Sequence, residues 1–234
     1  LDARVKEIRK EEKAYHDKVY EESVLFEPGS WLVSPVRSVI QTVDLFDYKN
    51  INVLDIGSGV GRNSIPIAQK VQSSGGMVTC VDLLESAIVK LREYSRKYGV
   101  ENQIISVQST IEDFRIAEHT YDYIVAVSSL EHCASLNDFK EILSNMRAGT
   151  RERGIHYLVI NTDMEEIDMT TGKQLNVQLE VDLSTRDLDA ILTSGYQGWD
   201  VLDHHIKVLT FEIERNGLAV QLNTRAVTFV VRKL

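Results

Sequence analysis

The chain has 234 residues, a formal net charge of -9, 43% hydrophobic and 26% charged residues, which is the make-up of one globular domain with a core of its own. The acidic balance repels phosphate backbones and argues against nucleic acid as a partner. No apolar run reaches the length of a membrane span and no signal peptide is legible, so no membrane partner and a cytoplasmic location are expected; the first residue is Leu1 rather than Met, which weakens the second point. Only two cysteines occur, Cys80 and Cys133, a usage that fits a reducing compartment.

In chain order, the first element is an amphipathic helix from about Asp2 to Glu22, with Val5, Ile8, Tyr15 and Val19 near helical spacing. Pro28-Gly29 breaks it, and Ser34-Pro35 opens a second helix through about Asp44, with Pro35 suited to the first turn. Strands and helices then alternate. Strands are expected at Asn52–Ile56, Met77–Val81, Gln103–Val107, Tyr123–Val127 and Ile155–Ile160. Between them lie helices at Arg62–Val71, at Glu85–Tyr98 with Gly99 as its stop, and at about Asn137–Met146. Ser184 with Asp187 three residues on opens a helix to about Thr193. Val201–Glu214 and Leu218–Arg232 form a hairpin about Asn216-Gly217, the strongest short hairpin signal. The expectation is an α/β fold with a doubly wound, seven-stranded, mostly parallel sheet and a C-terminal antiparallel hairpin. Residues 1–234 are taken as one domain, with 1–48 as an N-terminal helical cap and 161–183 as a substrate lid.

The chemistry concentrates in Val53-Leu54-Asp55-Ile56-Gly57-Ser58-Gly59-Val60-Gly61-Arg62-Asn63-Ser64. An apolar run ends in an acid, and three glycines follow at alternate positions before a helix. That is a buried strand, a turn at which a ligand touches backbone, and a helix N-terminus behind it. A dinucleotide fingerprint needs its third glycine where Arg62 stands. The pattern instead resembles the first motif, D-x-G-x-G-x-G, of class I S-adenosylmethionine (SAM)-dependent methyltransferases. Asp82, ending Val78-Thr79-Cys80-Val81-Asp82, resembles that family's second motif, whose acid binds ribose; a carboxylate there can accept from both ribose hydroxyls.

The resemblance implies SAM as cofactor, S-adenosylhomocysteine (SAH) as product, and a pocket made by Asp55, Gly57, Ser58, Gly59, Gly61, Asp82, Leu83, Thr110, Ile111, Val127 and Ser128. Thr110 stands where many relatives carry an Asp against the adenine amine, so Ile111 backbone and Leu83 are expected to hold the base. Tyr121–His132 resembles the fourth-strand motif of ubiquinone-type methyltransferases. Gly61-Arg62-Asn63-Ser64, Gly198-Trp199-Asp200, Asn216-Gly217 and Arg232-Lys233 resemble the tellurite-resistance branch. That branch carries a His-Arg pair where Phe211 and Glu212 stand here, a departure that speaks against tellurite chemistry.

Transfer of a methyl from a sulfonium is mostly a matter of positioning, and a phenol or amine acceptor also needs a base near its proton. Glu131 and His132, just past the fourth strand, are the catalytic candidates. One adjacent pair without a third ligand does not make a metal site, and His204-His205 in a strand face opposite sides, so no metal is expected. Tyr15, Tyr20 and Trp31 are candidates for aromatic walls. The leading function is methylation of a small molecule. The alternatives are a non-catalytic SAM-binding protein, a protein methyltransferase, and a nicotinamide oxidoreductase, which Arg62 argues against. The acceptor and the oligomeric state are not legible.

Overall fold

The computed structural model describes residues 2–215 and 217–234. Strands β1 (Asn52–Ile56), β2 (Met77–Asp82), β3 (Ile104–Gln108), β4 (Tyr121–Val127) and β5 (Thr150–Asp168) are joined in sheet order 3-2-1-4-5 by parallel ladders. Short β6 (Gln174–Leu175) pairs antiparallel with the end of β5. The long strands β7 (Asp200–Arg215) and β8 (Leu218–Arg232) complete the sheet as 5-8-7, both pairings antiparallel. The doubly wound sheet with its C-terminal hairpin is as expected; β6 is additional. Asn216, half of the hairpin turn, lies outside the described residues.

Alternation along the strands builds two cores, because successive side chains point to opposite faces. Val53, Val78, Cys80, Tyr123 and Val125 pack on one face against α2 (Arg37–Thr42), α3 (Ser64–Val71) and α4 (Glu85–Lys97). Leu54, Ile56, Val81, Ile124 and Ala126 pack on the other face under α5 (Leu136–Gly149) and α6 (Thr185–Gly195). The chain order reverses between β1 and β4, and the crevice beyond their C-terminal ends is the switch point at which such sheets bind ligands. No helix of the described residues is long and apolar enough to cross a membrane. Both cysteines are free and buried.

Several boundaries differ from the sequence reading, and three of them bear on the site. The second helix starts at Arg37, not at Pro35, because the Val36 amide donates to Asn63 Oδ1 (3.0 Å) and Val36 stays extended. The helix after the glycines starts at Ser64, because Gly61 is left-handed (φ 93°) and Arg62 turns away to the Trp31 carbonyl. The largest difference is β5, which runs on through Asp168 rather than stopping at Ile160. Residues 161–168 pair with β8 across a register shift between Thr162 and Glu165, so this part of the expected lid is sheet. The remainder is not a loose polar loop either: Leu179, Glu180 and Val181 are buried.

Candidate functional site

The glycine turn is fixed by backbone. The amides of Gly57 and Ser58 both donate to the Val81 carbonyl (2.8 and 3.0 Å), tying the end of β1 to β2. Gly57, Gly59 and Gly61 all have positive φ (70°, 53° and 93°), the region in which a Cβ is strained. A Cβ on Gly57 would stand 2.3 Å from Ser129 Cβ, and one on Gly61 2.5 Å from Leu91 Cδ1. Ser129, just past β4, donates to the Ile56 carbonyl (2.7 Å), so the turns after β1 and β4 form one floor.

Two carboxylates brace this turn in different ways. Asp55 is buried in β1 and accepts from Ser64 Oγ at 2.5 Å, at the start of the following helix. Burial pushes its pKa up to about 7, in spite of that bond. Asp82 accepts from the Gly59 amide (2.8 Å) through one oxygen and from the Leu84 amide (2.9 Å) through the other. Burial raises its pKa as well, against those two amides. Each oxygen keeps a further lone pair for a ligand.

The N-terminal helix α1 (Ala3–Glu22) and the segment after it roof the turn. A Cβ on Gly59 would lie 3.1 Å from Tyr20 Oη, which makes this tyrosine the nearest roof atom. His16, Tyr20 and Trp31 stack edge-on or tilted within 5.6 to 6.4 Å of one another. Arg62 lies over the Trp31 ring (5.1 Å), and its guanidinium donates to the Trp31 carbonyl (3.1 Å). Two buried polar atoms next to this cradle, Ser58 Oγ and His16 Nδ1, find no hydrogen-bond partner in the protein. Buried orphans of this kind, together with a cradle that a Cβ would fill, suit a polar ligand lying along the turn.

Leu83 stands exposed on a groove of about 800 Å³ that runs from Tyr20 to Gln108 between α1 and α4. Thr110 is turned to local use: its Oγ1 donates to Asp113 Oδ2 (2.8 Å) and accepts the Asp113 amide (3.0 Å). Ile111 packs against the second core. Val127 is half-buried, and Ser128 is exposed with φ 50° at the switch point. The structure therefore gathers the Asp55, glycine-turn, Asp82 and Ser128 positions, and spends the Thr110 side chain elsewhere.

The two catalytic candidates part company. Glu131 is 1% exposed; its Oε1 accepts the Asn161 amide (3.1 Å) and side chain (2.6 Å), which pins the turn after β4 to β5. His132 is about one-third exposed (32%), and its Nδ1 lies 3.0 Å from Glu180 Oε2. Burial alone would lower the His132 pKa. The Glu180 bond, with Glu12 and Glu131 nearby, raises it instead to about 9. Glu180, 48 residues on, was not legible in the sequence, nor was Arg9 of α1. Arg9 reaches Glu180 Oε1 (3.4 Å), Glu112 Oε1 (2.7 Å) and the His132 carbonyl (3.2 Å). Glu12 pairs with Arg215 at the far end of β7 (3.1 Å) and with His16 (3.5 Å). Among the described residues no group of three or more His, Cys, Asp or Glu side chains could hold a metal ion.

Residues 53–154 match the model of a family described as a methyltransferase domain. A ubiquinone biosynthesis O-methyltransferase from Rickettsia canadensis is 31% identical over 93 residues, 40% of this chain and 36% of that protein. The chain thus spans about a third of the length of such curated relatives. In fold it is similar to TehB from Haemophilus influenzae (TM-score 0.63, 22% identity, covering 85% of this chain and 62% of that one). It is likewise similar to a SAM-dependent methyltransferase from Methanosarcina mazei (TM-score 0.59, 16% identity, covering 82% and 97%). Motif, sheet order and family model agree in making residues 53–154 similar to a methyltransferase domain.

Proposed function

We propose that this chain moves a methyl group from SAM to a small-molecule acceptor. The observation that carries the reading is the turn of three left-handed glycines held between buried Asp55 and Asp82 at the switch point of the sheet. When bound, SAM supplies a methyl on a sulfonium that departs as neutral SAH. The protein's part is to hold and orient. Asp82 accepts the ribose hydroxyls with the lone pairs left over from Gly59 and Leu84. Gly57, Ser58, Gly59 and Gly61 let the methionine part lie against backbone, with Ser58 Oγ as an additional donor and Asp55 beneath. Leu83 and Ile111 flank the base, while Val127 and Ser128 line the pocket at the end of β4. Thr110 is left out of this set, its hydroxyl being taken by Asp113.

Glu131 acts through Asn161 as a brace, and His132 stands at the acceptor side of the cleft. The segment 174–183 covers that side together with α1, pinned by Arg4 to the Leu179 carbonyl at 2.5 Å. The methyltransferase domain and the O-methyltransferase relatives do not favour the non-catalytic alternative. The nicotinamide alternative fails at Arg62, whose side chain is committed to Trp31 where a third glycine would be needed. Calorimetry with SAH and NADH tests the reading: micromolar binding of SAH and none of NADH is expected. The reverse order would overturn it.

A further inference from the structure

Two polar atoms of the cleft are buried and have no partner among the described residues, and they belong to its floor and its roof. On the floor is Ser58 Oγ. Ser58 gives its amide to the Val81 carbonyl, and its own carbonyl accepts the Gly61 amide (3.0 Å each), so only the hydroxyl is unclaimed. On the roof is His16 Nδ1. Buried polar atoms in folded proteins are paired as a rule, so two orphans on floor and roof of one cleft call for a third group between them.

The His16 ring is held from several sides. Its Nε2 lies 3.5 Å from Glu12 Oε2, and Glu12 is held in turn by Arg215 (3.1 Å), which also reaches Glu166 (3.2 Å). Tyr15, Tyr20 and Trp31 stand around the ring with centroids at 5.3, 5.6 and 6.0 Å. Along α1, His16 is one helical turn, about 6 Å, from Glu12 on one side and from Tyr20 on the other, all on one face. Glu12 belongs to the acceptor-side network, and Tyr20 stands over Gly59, the residue after Ser58. His16 also lies within electrostatic reach of Asp82, the ribose acid of the proposed site. The ring is therefore above the glycine turn, between the ribose acid and the acceptor side.

We propose that His16 is a cofactor-binding residue: its Nδ1, with Ser58 Oγ on the floor, pairs the amino acid end of SAM. The proposal rests on the methyltransferase reading. The chemistry fits whichever charge the ring carries, because that end of the cofactor is a zwitterion. An imidazolium Nδ1–H donates to its carboxylate; a neutral ring that gives its Nε2–H to Glu12 accepts from its ammonium through Nδ1. A serine hydroxyl pairs with either group. The nucleoside end is served by Asp82, Leu83 and Ile111 instead. Helix α1, beyond covering the cleft, then makes it distinguish SAH from the same nucleoside without its amino acid end.

The test is calorimetry of SAH and of methylthioadenosine, the thioether nucleoside that lacks the amino acid end, in wild type, His16→Phe, His16→Asn and His16→Gln. Phe keeps a stacked ring, Asn keeps a polar group at the Nδ1 position, and Gln keeps one at the Nε2 position. SAH should bind at least tenfold more weakly to His16→Phe and His16→Gln, and less than threefold more weakly to His16→Asn. Methylthioadenosine should change less than threefold throughout. Unchanged SAH binding in His16→Phe and His16→Gln, equal losses for the two ligands, or His16→Asn falling as far as His16→Gln overturns the assignment. The comparison of Asn with Gln on SAH alone decides if His16→Phe fails to fold or methylthioadenosine binds too weakly to titrate. Wild type separates these outcomes from failure of the cofactor reading: if it binds neither ligand, both fall, and if it binds SAH, only the His16 assignment is at stake.

Discussion

The two halves of the cleft are built by different means. The half at β1 and β2 is made of backbone: left-handed glycines, amides on Asp82, and carbonyls that accept from the next turn. The half under α1 is made of side chains, a chain of ion pairs from Glu112 through Arg9 and Glu180 to His132, and from Glu12 through Arg215 to Glu166. The first half is centred on one run of consecutive residues, closed by Asp82 and Ser129 at separations of 23 and 73. The second closes over 48 to 203 residues. A backbone site tolerates no added atom, and a side-chain network tolerates no missing charge, so each half breaks under a different kind of substitution.

The largest effect is expected at Gly57→Ala. The left-handed strain and the 2.3 Å approach to Ser129 together cost about 2–4 kcal/mol, seen as lost SAH binding and a lower melting temperature. A variant that binds SAH as wild type does would show that the turn is looser than drawn. Arg9→Met should come next. It leaves Glu112 without its cation and Glu180 with His132 alone, and since Arg9 is only 15% exposed the loss should be about 2–4 kcal/mol of stability. SAH binding by the protein that remains folded should change less than threefold, because the network lies outside the backbone half. If binding and stability fell together, the division into halves would be wrong.

Smaller effects come from pH. His132 binds its proton more tightly folded than unfolded, so its contribution is complete below about pH 6.5 and is lost as pH rises through about 9. Asp55, raised to about 7 by burial, acts with the same sign in a lower window: the folded state holds its proton longer, so stability falls as pH rises from about 4 to 7. Glu12, held at about 2 by His16, His132 and Arg215 against burial, does the opposite, stabilising above its ordinary range and losing that as pH falls through 2. Melting temperatures of wild type and Glu180→Gln should be furthest apart below about pH 6.5 and should converge as pH rises from 6.5 to 9. Curves that run parallel there would remove the Glu180–His132 pair from the account. The smallest effect is expected from Glu7→Gln, whose pair with Lys10 is well exposed; a change within about 0.5 kcal/mol sets the scale for charge alone.

The same contrast explains what could be read in the chain. The strand, acid, three glycines and helix lie within twelve consecutive residues, and local periodicity is enough to find them. The terminal hairpin is equally local. The extension of β5 is not: Asn161, Thr162, Asp163, Glu165 and Glu166 are polar, and they become sheet only because β8 supplies the ladder from 60 residues away. Glu180 sits in a segment whose composition reads as loop, and only the fold brings it to His132. Thr110 is a different case, a residue at a family position whose hydroxyl is bonded within its own turn.

The central claim is that the backbone half binds SAM through Asp82. Calorimetric titration of SAM and SAH into wild type and Asp82→Ala tests it most directly. The account predicts micromolar binding by wild type, weakened at least tenfold, about 1.4 kcal/mol, by the substitution. No binding by wild type, or equal binding by the two proteins, would contradict it.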